Sequence, residues 1–397
     1  MLARMLLRRC FAWALVATAL TGCSVARVNL APPTGDEVTL LVPGYRGSFL
    51  FTEGAEPERA WFSPGDVVTR GERSLALPFP GQRPAPRFGP LVPDGPMTKL
   101  TLIPLLASID VYRPVMEFGR ERLPGFTAFG YDWRRDVRES AGKLCARIEQ
   151  LVAEGGGRRK VNLVVHSMGG LVALHCLLHG GSEQGTQPWA GAAHVQRVVF
   201  VGTPFRGSPG IFDDLLEGTA TGRNTALLRP EALFTFASSF QLLPWRGDFF
   251  VDGAGAPVAL DAFAPEQWWT RGWGVFEEAA LREDAAYREQ LTRMLEARHA
   301  LADALAPREG LPPPPFQTLV VVGTGRPTTS GFRMKDGALD VDDETKADGD
   351  GAVLATSAVP ALPLPFERLD SRAEHVALMS DDEVLRAIAR FLGHPVP

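Results

Sequence analysis

The feature that most constrains the fold of this chain is an apolar run that leads directly into a serine and two glycines. Residues 161–170 read VNLVVHSMGG, and residues 168–179 continue with apolar side chains at helical spacing. A buried strand that turns sharply at Ser167 into a helix is typical of a nucleophile elbow, which exposes the hydroxyl group beside the helix amino terminus. Val165 stands where a glycine is usual, whereas the two glycines after the serine allow strand and helix to approach closely. The segment therefore predicts a nucleophilic serine at the end of a buried strand.

The rest of the chain alternates short apolar strands with helical patterns. Further strand-like runs lie at residues 38–42, 126–131, 195–201 and 318–322. Helical patterns lie at residues 140–154, at residues 168–179 and after a capping box at residues 380–383. Apolar strands that alternate with helices predict an α/β fold with a mostly parallel central sheet covered on both faces.

A serine at an elbow requires a base and an acid, and their order along the chain limits the choice. In α/β-hydrolases the acid follows the serine and the histidine follows the acid. Asp350 lies in a glycine-rich loop, and His375 lies just before the final helix. His394, the other histidine after the acid, lies in the tail beyond that helix and is a poor alternative. Asp340, Asp342 and Asp343 are alternatives for the acid. The acidic cluster could also be a solvated loop or a calcium-binding loop.

These residues predict a catalytic triad with defined roles. His375 is expected to take the proton of Ser167 as general base, while Asp350 orients the imidazole and stabilises its charged form. The oxyanion of the tetrahedral intermediate needs two backbone donors. We expect one from Met168, directly after the serine, and one from Tyr45 in the loop PGYRGS at residues 43–48, which could otherwise be a simple turn.

Metal, cofactor and nucleic-acid functions find little support in the sequence. His175 and His179 are four residues apart on one predicted helix, but no acidic third ligand has suitable spacing, so no metal is expected. No motif indicates another cofactor. The net charge of −5 gives no basic balance that would indicate nucleic acid as a partner.

The amino terminus has the pattern of an export signal. Residues 1–9 contain three arginines and no acid, residues 10–20 are almost wholly apolar, and LTGC follows at residues 20–23. This tetrapeptide resembles the bacterial lipobox, in which the cysteine becomes the lipidated first residue of the mature protein. Residues 1–22 are therefore expected to be a lipoprotein signal peptide and Cys23 the site of lipidation; an uncleaved anchor and ordinary secretion are the alternatives. Ser24 favours the outer membrane of the bacterial cell envelope by the same resemblance.

The processed chain would begin with a linker over residues 23–37 and keep two further cysteines. Cys145 and Cys176 stand at apolar positions of predicted helices. An oxidising compartment would permit a disulfide between them, but two separate buried thiols are expected.

Two stretches interrupt the alternation of strands and helices. Residues 55–96 are rich in proline, glycine and arginine and predict a flap, and residues 205–315 are far longer than a usual connection and predict a cap. Most of the cap aromatics are expected to form its own core, and a few to line an acyl-chain site or touch a membrane: Phe234, Phe236, Phe240, Trp245, Phe249, Phe250, Trp268, Trp269 and Trp273.

A series of short motifs, taken in order, resembles the lecithin:cholesterol acyltransferase and lysosomal phospholipase family. The motifs are VPGYRGS at 42–48, GYDWR at 130–134, HSMGG at 166–170, GTPFRGS at 202–208, FQLLP at 240–244, GDGAV at 349–353 and EH at 374–375. The resemblance implies an α/β-hydrolase fold with a helical cap over residues 38–397, and chemistry on ester-linked acyl chains of phospholipids or other lipids.

The resemblance also implies roles for individual residues. Ser167, Asp350 and His375 match the triad, and Tyr45 matches the oxyanion position. Asp132 and Arg134 in GYDWR are expected to pair locally and to be structural. Ala352 replaces a frequent threonine, and no feature of the sequence supports a sterol acceptor.

Two classes of function remain open at this point. The first is a serine esterase, lipase or O-acyltransferase tethered to a membrane, whose acyl-enzyme is resolved by water or by an alcohol. The second is a non-catalytic lipoprotein of the same fold that serves as a binding or scaffold module. The scaffold could lose any triad residue without penalty, and all three are present.

Overall fold

The computed structural model describes residues 30, 32–61, 74–86, 88–103, 107–181, 187–221 and 224–396. The predicted signal peptide, Cys23 and the first part of the predicted linker lie outside the described residues, as does part of the predicted flap. Within the described ranges, no helix has both the length and the apolar character needed to cross a membrane.

The described strands are numbered in chain order. They are β1 (Glu37–Val42), β2 (Ser48–Thr52), β3 (Arg59–Trp61), β4 (Leu91–Pro96), β5 (Lys99–Ile103), β6 (Ala107–Asp110), β7 (Thr127–Ala128), β8 (Lys160–His166), β9 (Val195–Val201), β10 (Thr219–Thr221), β11 (Asn224–Leu228), β12 (Phe250–Val251), β13 (Gln317–Gly323), β14 (Arg326–Lys335), β15 (Ala338–Gly349) and β16 (Glu367–Ser371).

The described helices are numbered in the same way. They are α1 (Arg113–Arg122), α2 (Val137–Glu154), α3 (Met168–His179), α4 (Gly210–Glu217), α5 (Pro230–Leu233), α6 (Ala237–Gln241), α7 (Pro265–Arg271), α8 (Ala279–Arg282), α9 (Ala285–Ala304) and α10 (Asp382–Phe391), with 3-10 turns at Gly274–Glu277 and Ala377–Met379.

The central sheet has six strands in the order β16-β13-β9-β8-β1-β7, and every neighbouring pair is parallel. Its inner strands are buried almost throughout, because helices and the long insertion cover both faces. The predicted α/β fold with a mostly parallel sheet is therefore confirmed. The carboxyl ends of β1, β8, β9 and β13 meet at one edge, where ligands bind in folds of this type.

Local signals placed five of the six central strands and three of the helices, missing β16, and two of the predicted elements differ in detail. The strand expected at residues 126–131 is reduced to β7, two residues at the edge of the sheet. The final helix is capped by Asp381, whose carboxylate accepts hydrogen bonds from the amides of Glu383 and Val384. Ser380 instead donates its hydroxyl to the carbonyl of Ala377.

The two inner cysteines correct an expectation. Cys145 on α2 and Cys176 on α3 form a disulfide with their Cα atoms 5.7 Å apart, instead of two separate thiols. The sequence pattern predicted only that both side chains are buried, whereas the packing of α2 against α3 brings them together. The disulfide ties the helix that follows Ser167 to its neighbour.

The long insertion between β9 and β13 has an aromatic core centred on Phe212 of α4. Its buried ring lies 5.3–5.8 Å, centroid to centroid, from the rings of Phe249, Phe250, Trp268, Trp273 and Phe332. Most of the aromatic side chains expected to build this core are buried; Trp245 and Trp269 are partly exposed. The insertion thus has an apolar core of its own, continuous with that of the sheet.

Candidate active site

Ser167 occupies a strained turn between β8 and α3. Its backbone has φ 53° and ψ −130°, a conformation that residues other than glycine rarely adopt. Its amide donates to the carbonyl of Val201 on β9, with the nitrogen 2.9 Å from the oxygen. A methyl group on Gly170 would collide with the side chain of Thr203, and one on Gly169 would collide with the carbonyls of Val42 and Pro43. The elbow therefore needs both glycines after the serine.

Val165, which departs from the usual glycine, is accommodated without disturbing the sheet. It is fully buried and keeps regular register with Val42 on β1 and Phe200 on β9. The close approach of strand and helix falls on the glycines after the serine, so a β-branched residue before it is tolerated.

The structure brings Ser167, His375 and Asp350 into one hydrogen-bonded chain. His375 Nε2 lies 2.9 Å from Ser167 Oγ, and His375 Nδ1 lies 2.7 Å from Asp350 Oδ2. Because the carboxylate can only accept, Nδ1 carries the proton in the neutral imidazole and Nε2 is free to accept from the serine. These contacts are those that a general base and its orienting acid require.

Asp350 is held by its own loop after β15. It is buried, and its Oδ1 accepts from the amides of Ala352 and Val353 at 3.0 and 2.7 Å. Its backbone carbonyl accepts from the amide of His375 at 2.9 Å. Burial alone would raise the pKa of this carboxyl, but the His375 imidazole and the hydrogen bonds that it receives lower the pKa below its ordinary value. Asp350 is therefore ionised at neutral pH.

The loop after β1 lies directly against the serine. A methyl group on Gly44 would come 2.7 Å from Ser167 Cβ, so only a glycine allows this approach. Tyr45 follows in the loop, and Met168 is the first residue of α3. The two amides expected to stabilise an oxyanion therefore belong to segments that meet at Ser167. Their role stays a prediction.

The GYDWR motif supports this loop through its aromatic side chains. Tyr131 donates its hydroxyl to the carbonyl of Pro43 at 2.9 Å, and Trp133 Nε1 donates to the carbonyl of Ser48 at 3.1 Å. Arg134 forms a buried two-point pair with Asp132, at 2.9 and 2.7 Å. The expected local pairing of Asp132 with Arg134 is confirmed.

A cavity of about 860 Å³ opens above Ser167, a size suited to a ligand. Its apolar wall comes from Trp61, Met97, Val111 and Leu228. In the described part of the chain, none of the cap aromatics expected to line an acyl-chain site does so; they fill the insertion's own core instead. The wall comes from residues that lie far apart in sequence, with no shared local pattern.

Arg46 is one of the charged residues that line this cavity, with Arg326, Asp350 and Glu374. It has a positive φ of 60° and directs its guanidinium 2.9 Å from Asp214 Oδ2 on α4. The same group lies 4.7 Å from the centre of the Tyr45 ring. Arg46 therefore connects the loop after β1 to the insertion between β9 and β13.

Sequence reasoning missed His166 and Tyr112. The Tyr112 hydroxyl oxygen lies 2.7 Å from His166 Nδ1 and 2.7 Å from the Gly44 nitrogen. His166 Nε2 lies 3.1 Å from the carbonyl oxygen of His375. The position of His166 before the serine was a signal, but Tyr112 precedes it by 54 residues and carries no motif.

The rejected alternatives lie elsewhere. His394 contacts Glu37 at 3.5 Å, and Asp343 pairs with Arg333 at 3.0 Å on the β14–β15 hairpin. The rings of His175 and His179 lie 4.7 Å apart on α3. Among the described residues, no group of three or more histidines, cysteines or acids is arranged to hold a metal ion.

The sheet order, the elbow and the loops at its edge define the fold class of this protein, which is the α/β-hydrolase fold. The solved structure of the Tle4–Tli4 complex has the same fold, with a TM-score of 0.55 at 16% sequence identity over 92% of this chain and 98% of that one.

The comparison of sequences shows a similarity to one family over part of the chain. The family model for lecithin:cholesterol acyltransferase matches residues 107–255, which include the whole elbow. Over these residues the chain is similar to this family, which agrees with the resemblance of its motifs.

Its relatives include two eukaryotic proteins. An Arabidopsis thaliana protein named lecithin-cholesterol acyltransferase-like 4 is 25% identical over 426 residues, covering 90% of this chain and 76% of that protein. An uncharacterized protein of Saccharomyces cerevisiae is 26% identical over 260 residues, which cover 65% of this chain. That match spans only 36% of the yeast protein.

Proposed function

We propose that the protein is a serine-dependent lipid acyl hydrolase or O-acyltransferase that acts on ester-linked acyl chains through an acyl-enzyme at Ser167. The observation that carries the proposal is the contact of Ser167 Oγ with His375, 2.9 Å away, at the base of a cavity with an apolar wall. The named relatives in the lecithin:cholesterol acyltransferase group support ester-linked lipids as substrates.

Acylation begins with proton transfer. His375 Nε2 takes the proton of Ser167 Oγ as that oxygen attacks the ester carbonyl. Asp350, ionised and buried, stabilises the imidazolium that results. The amides of Tyr45 and Met168 donate to the carbonyl oxygen as it becomes an oxyanion. The imidazolium then gives its proton to the departing alcohol, and the acyl group stays on Ser167.

Deacylation repeats these steps with a second nucleophile. His375 removes a proton from water or from an alcohol, which attacks the acyl-enzyme, and then returns a proton to Ser167 Oγ. Water yields a free fatty acid, and an alcohol yields a new ester. The two outcomes use the same residues, so the acceptor is decided by what enters the cavity beside Arg46 and Trp61.

The proposal is tested by product analysis with mixed phospholipid vesicles, with and without an added long-chain alcohol. Free fatty acid in both samples supports hydrolysis, and an acylated alcohol in the second supports transfer. The Ser167→Ala variant is the control and should give neither product. Turnover of short soluble esters without any lipid product would refute the lipid-directed part of the proposal.

The scaffold alternative requires a separate experiment. A fluorophosphonate probe reacts with an activated serine and forms a stable covalent adduct. We expect labelling at Ser167 that the Asp350→Asn variant strongly slows, because the carboxylate orients the base. A purified, folded protein that the probe does not label at Ser167 would favour a non-catalytic binding or scaffold module.

We further propose that the protein is a lipoprotein held by lipid at Cys23 in the bacterial cell envelope, at the outer membrane. The Cys145–Cys176 disulfide supports an oxidising compartment outside the cytosol. Labelled palmitate should enter the wild-type protein, and Cys23→Ala should abolish incorporation and release the protein from the membrane fraction. Equal membrane association of both proteins would contradict the anchor.

A further inference from the structure

The loop after β1 and the loop that carries His375 are joined behind Ser167 by two side chains. Gly44, in the first loop, donates its amide to the hydroxyl of Tyr112 at 2.7 Å. That hydroxyl contacts His166 Nδ1 at 2.7 Å, and His166 Nε2 contacts the backbone carbonyl of His375 at 3.1 Å. Tyr112 and His166 are both at most 3% exposed. We call these four groups the relay.

The chemistry of the groups fixes the direction of every hydrogen bond in the relay. The carbonyl of His375 can only accept, so His166 Nε2 must carry the hydrogen. Nδ1 of the neutral ring then has no hydrogen and must accept from the Tyr112 hydroxyl. The oxygen of that hydroxyl keeps a lone pair free, which accepts the amide of Gly44. Each donor and each acceptor in the relay is therefore satisfied in one arrangement.

We propose that Tyr112 and His166 are positioning residues. They hold the loop after β1, which contains Tyr45, and the loop that carries His375 in fixed positions on either side of Ser167. This inference rests on the proposed function. Gly44 directly precedes Tyr45, so the bond from Tyr112 fixes the peptide next to the expected donor. The bond from His166 fixes the backbone of His375 itself. The proposed role requires neither Tyr112 nor His166 to contact the reacting atoms.

The neutral state of His166 is part of the arrangement. Its ring centre lies 4.8 Å from that of His375. Burial and the nearby His375 lower the pKa of His166 to about 3. A protonated His166 would place hydrogen on Nδ1 against the Tyr112 hydroxyl and would oppose the positive charge that His375 acquires during catalysis. The groups that face His166 are Tyr112, His375 and Asp350. The hydrogen bond to the His375 carbonyl and the charge of Asp350 raise the pKa of His166, but burial and the His375 ring lower it by more.

The first test is Tyr112→Phe, which keeps the ring and removes the hydroxyl from the middle of the relay. With a short soluble ester as substrate, we expect kcat to fall about 10- to 100-fold, less than the loss of an oxyanion donor itself, while KM changes less than about twofold. Tyr287→Phe is the matched control. Its hydroxyl donates to the carbonyl of Arg83 in a buried position outside the cavity.

The second test replaces His166. His166→Gln keeps an amide group that can donate to the carbonyl of His375 and accept from Tyr112, whereas His166→Leu can do neither. We expect His166→Gln to retain more of the wild-type kcat than His166→Leu by a factor of about ten. Equal kcat in the two variants, or in Tyr112→Phe and Tyr287→Phe, would overturn the positioning role.

Hydrogen–deuterium exchange tests the relay without relying on turnover. In Tyr112→Phe, we expect faster exchange both in a peptide covering residues 42–48 and in one covering residues 372–378. The Tyr112 hydroxyl bonds directly to Gly44 in the first peptide, and its hydrogen-bonded link to the second runs through His166. Faster exchange in the first peptide alone would show that the two loops are not coupled. A wild type that turns over no ester and is not labelled at Ser167 would overturn the proposed function, while the exchange result would still decide whether the relay couples the loops.

Discussion

The edge of the sheet at Ser167 and the insertion between β9 and β13 are stabilised in different ways. At the edge, hydrogen bonds join side chains to backbone groups of other loops, as between Tyr131 and Pro43 or Trp133 and Ser48. In the insertion, aromatic rings pack around Phe212 with few polar contacts among them. The first arrangement fixes atoms in defined positions, whereas the second fills space.

The difference predicts opposite consequences of substitution. At the edge, a misplaced hydrogen-bonding group should reduce the rate more than the stability, because the reacting atoms tolerate little displacement. In the insertion, a lost ring should reduce the stability more than the rate, because it leaves a void. The predictions below test this contrast, from the largest expected effect to the smallest.

The largest effect is expected for Ser167→Ala. The nucleophile is lost while the amide of residue 167 still bonds to Val201, so kcat should fall by about 10⁴-fold or more with little change in Tm. Ester hydrolysis and thermal unfolding of the same preparation measure both quantities. Ser330→Ala, whose hydroxyl contacts Thr345 on the β14–β15 hairpin, is the matched control. Residual activity within tenfold of the wild type would exclude Ser167 as the nucleophile.

The residues of this site could be predicted because each one has a local signature. The apolar run before Ser167, the glycine-rich loop around Asp350 and the capped helix after His375 can all be read within a few residues. The required order of the triad along the chain then favoured His375 as the base. The structure brings these three side chains into contact, and their catalytic roles stay predictions.

The remaining features depend on packing between distant segments. Tyr112 and His166 meet across 54 residues, and Cys145 and Cys176 across 31. The cavity wall combines Trp61 with Leu228. Periodicity and turn signals predict whether a side chain is buried, but they do not predict which other side chain it contacts. The sequence could therefore predict that the two cysteines are buried, but not that they are bonded to each other.

The insertion should be most sensitive at Phe212. Phe212→Ala removes a buried ring that contacts five others, and we expect the free energy of unfolding to fall by about 3–5 kcal/mol. Activity per folded molecule should change less than about threefold below the unfolding transition. Denaturant unfolding and active-site titration measure the two effects. Phe212→Leu, which keeps part of the volume, should show a smaller loss, and a large fall in kcat at full folding would remove the contrast between the two regions.

The disulfide is expected to affect stability alone, although it joins the helix that begins at Met168. Replacing Cys145 and Cys176 by alanine should lower the free energy of unfolding by about 2–4 kcal/mol, because the unfolded chain loses a closed loop of about 31 residues. The disulfide lies at the far end of α3 from Ser167, so kcat should stay near the wild-type value. Single-cysteine variants control for lost packing. A lower kcat in the variant without the disulfide would show that a displacement of α3 reaches the turn at Ser167.

The smallest effect is the dependence of stability on pH, and part of it should originate near the sheet edge, at His166. His166 has a pKa of about 3 in the native protein, lowered by burial and by His375, against about 6.5 in the unfolded chain. Between these values the unfolded chain binds a proton that the native protein does not, so the contribution is complete above about pH 6.5 and is lost as the pH falls. The loss should be on the order of 2 kcal/mol from pH 6.5 to pH 5. His175, whose pKa is lowered to about 4, adds a loss of the same sign, while Asp350, with a lowered pKa, contributes only in more acidic solution.

Denaturant unfolding at several pH values separates these contributions. His166→Gln should remove part of the dependence between pH 6.5 and pH 5, because His175, His179 and His299, whose pKa values are also lowered, remain in that variant. Phe212→Leu should lower the stability by the same amount at every pH, because no titrating group is lost with the ring. A slope that is unchanged in His166→Gln would mean that His166 binds a proton in the native protein as readily as in the unfolded chain. That result is incompatible with the single hydrogen-bond direction required by Tyr112 and the carbonyl of His375. The same slope in Phe212→Leu and the wild type would show that the packing around Phe212 does not contribute to the acid sensitivity.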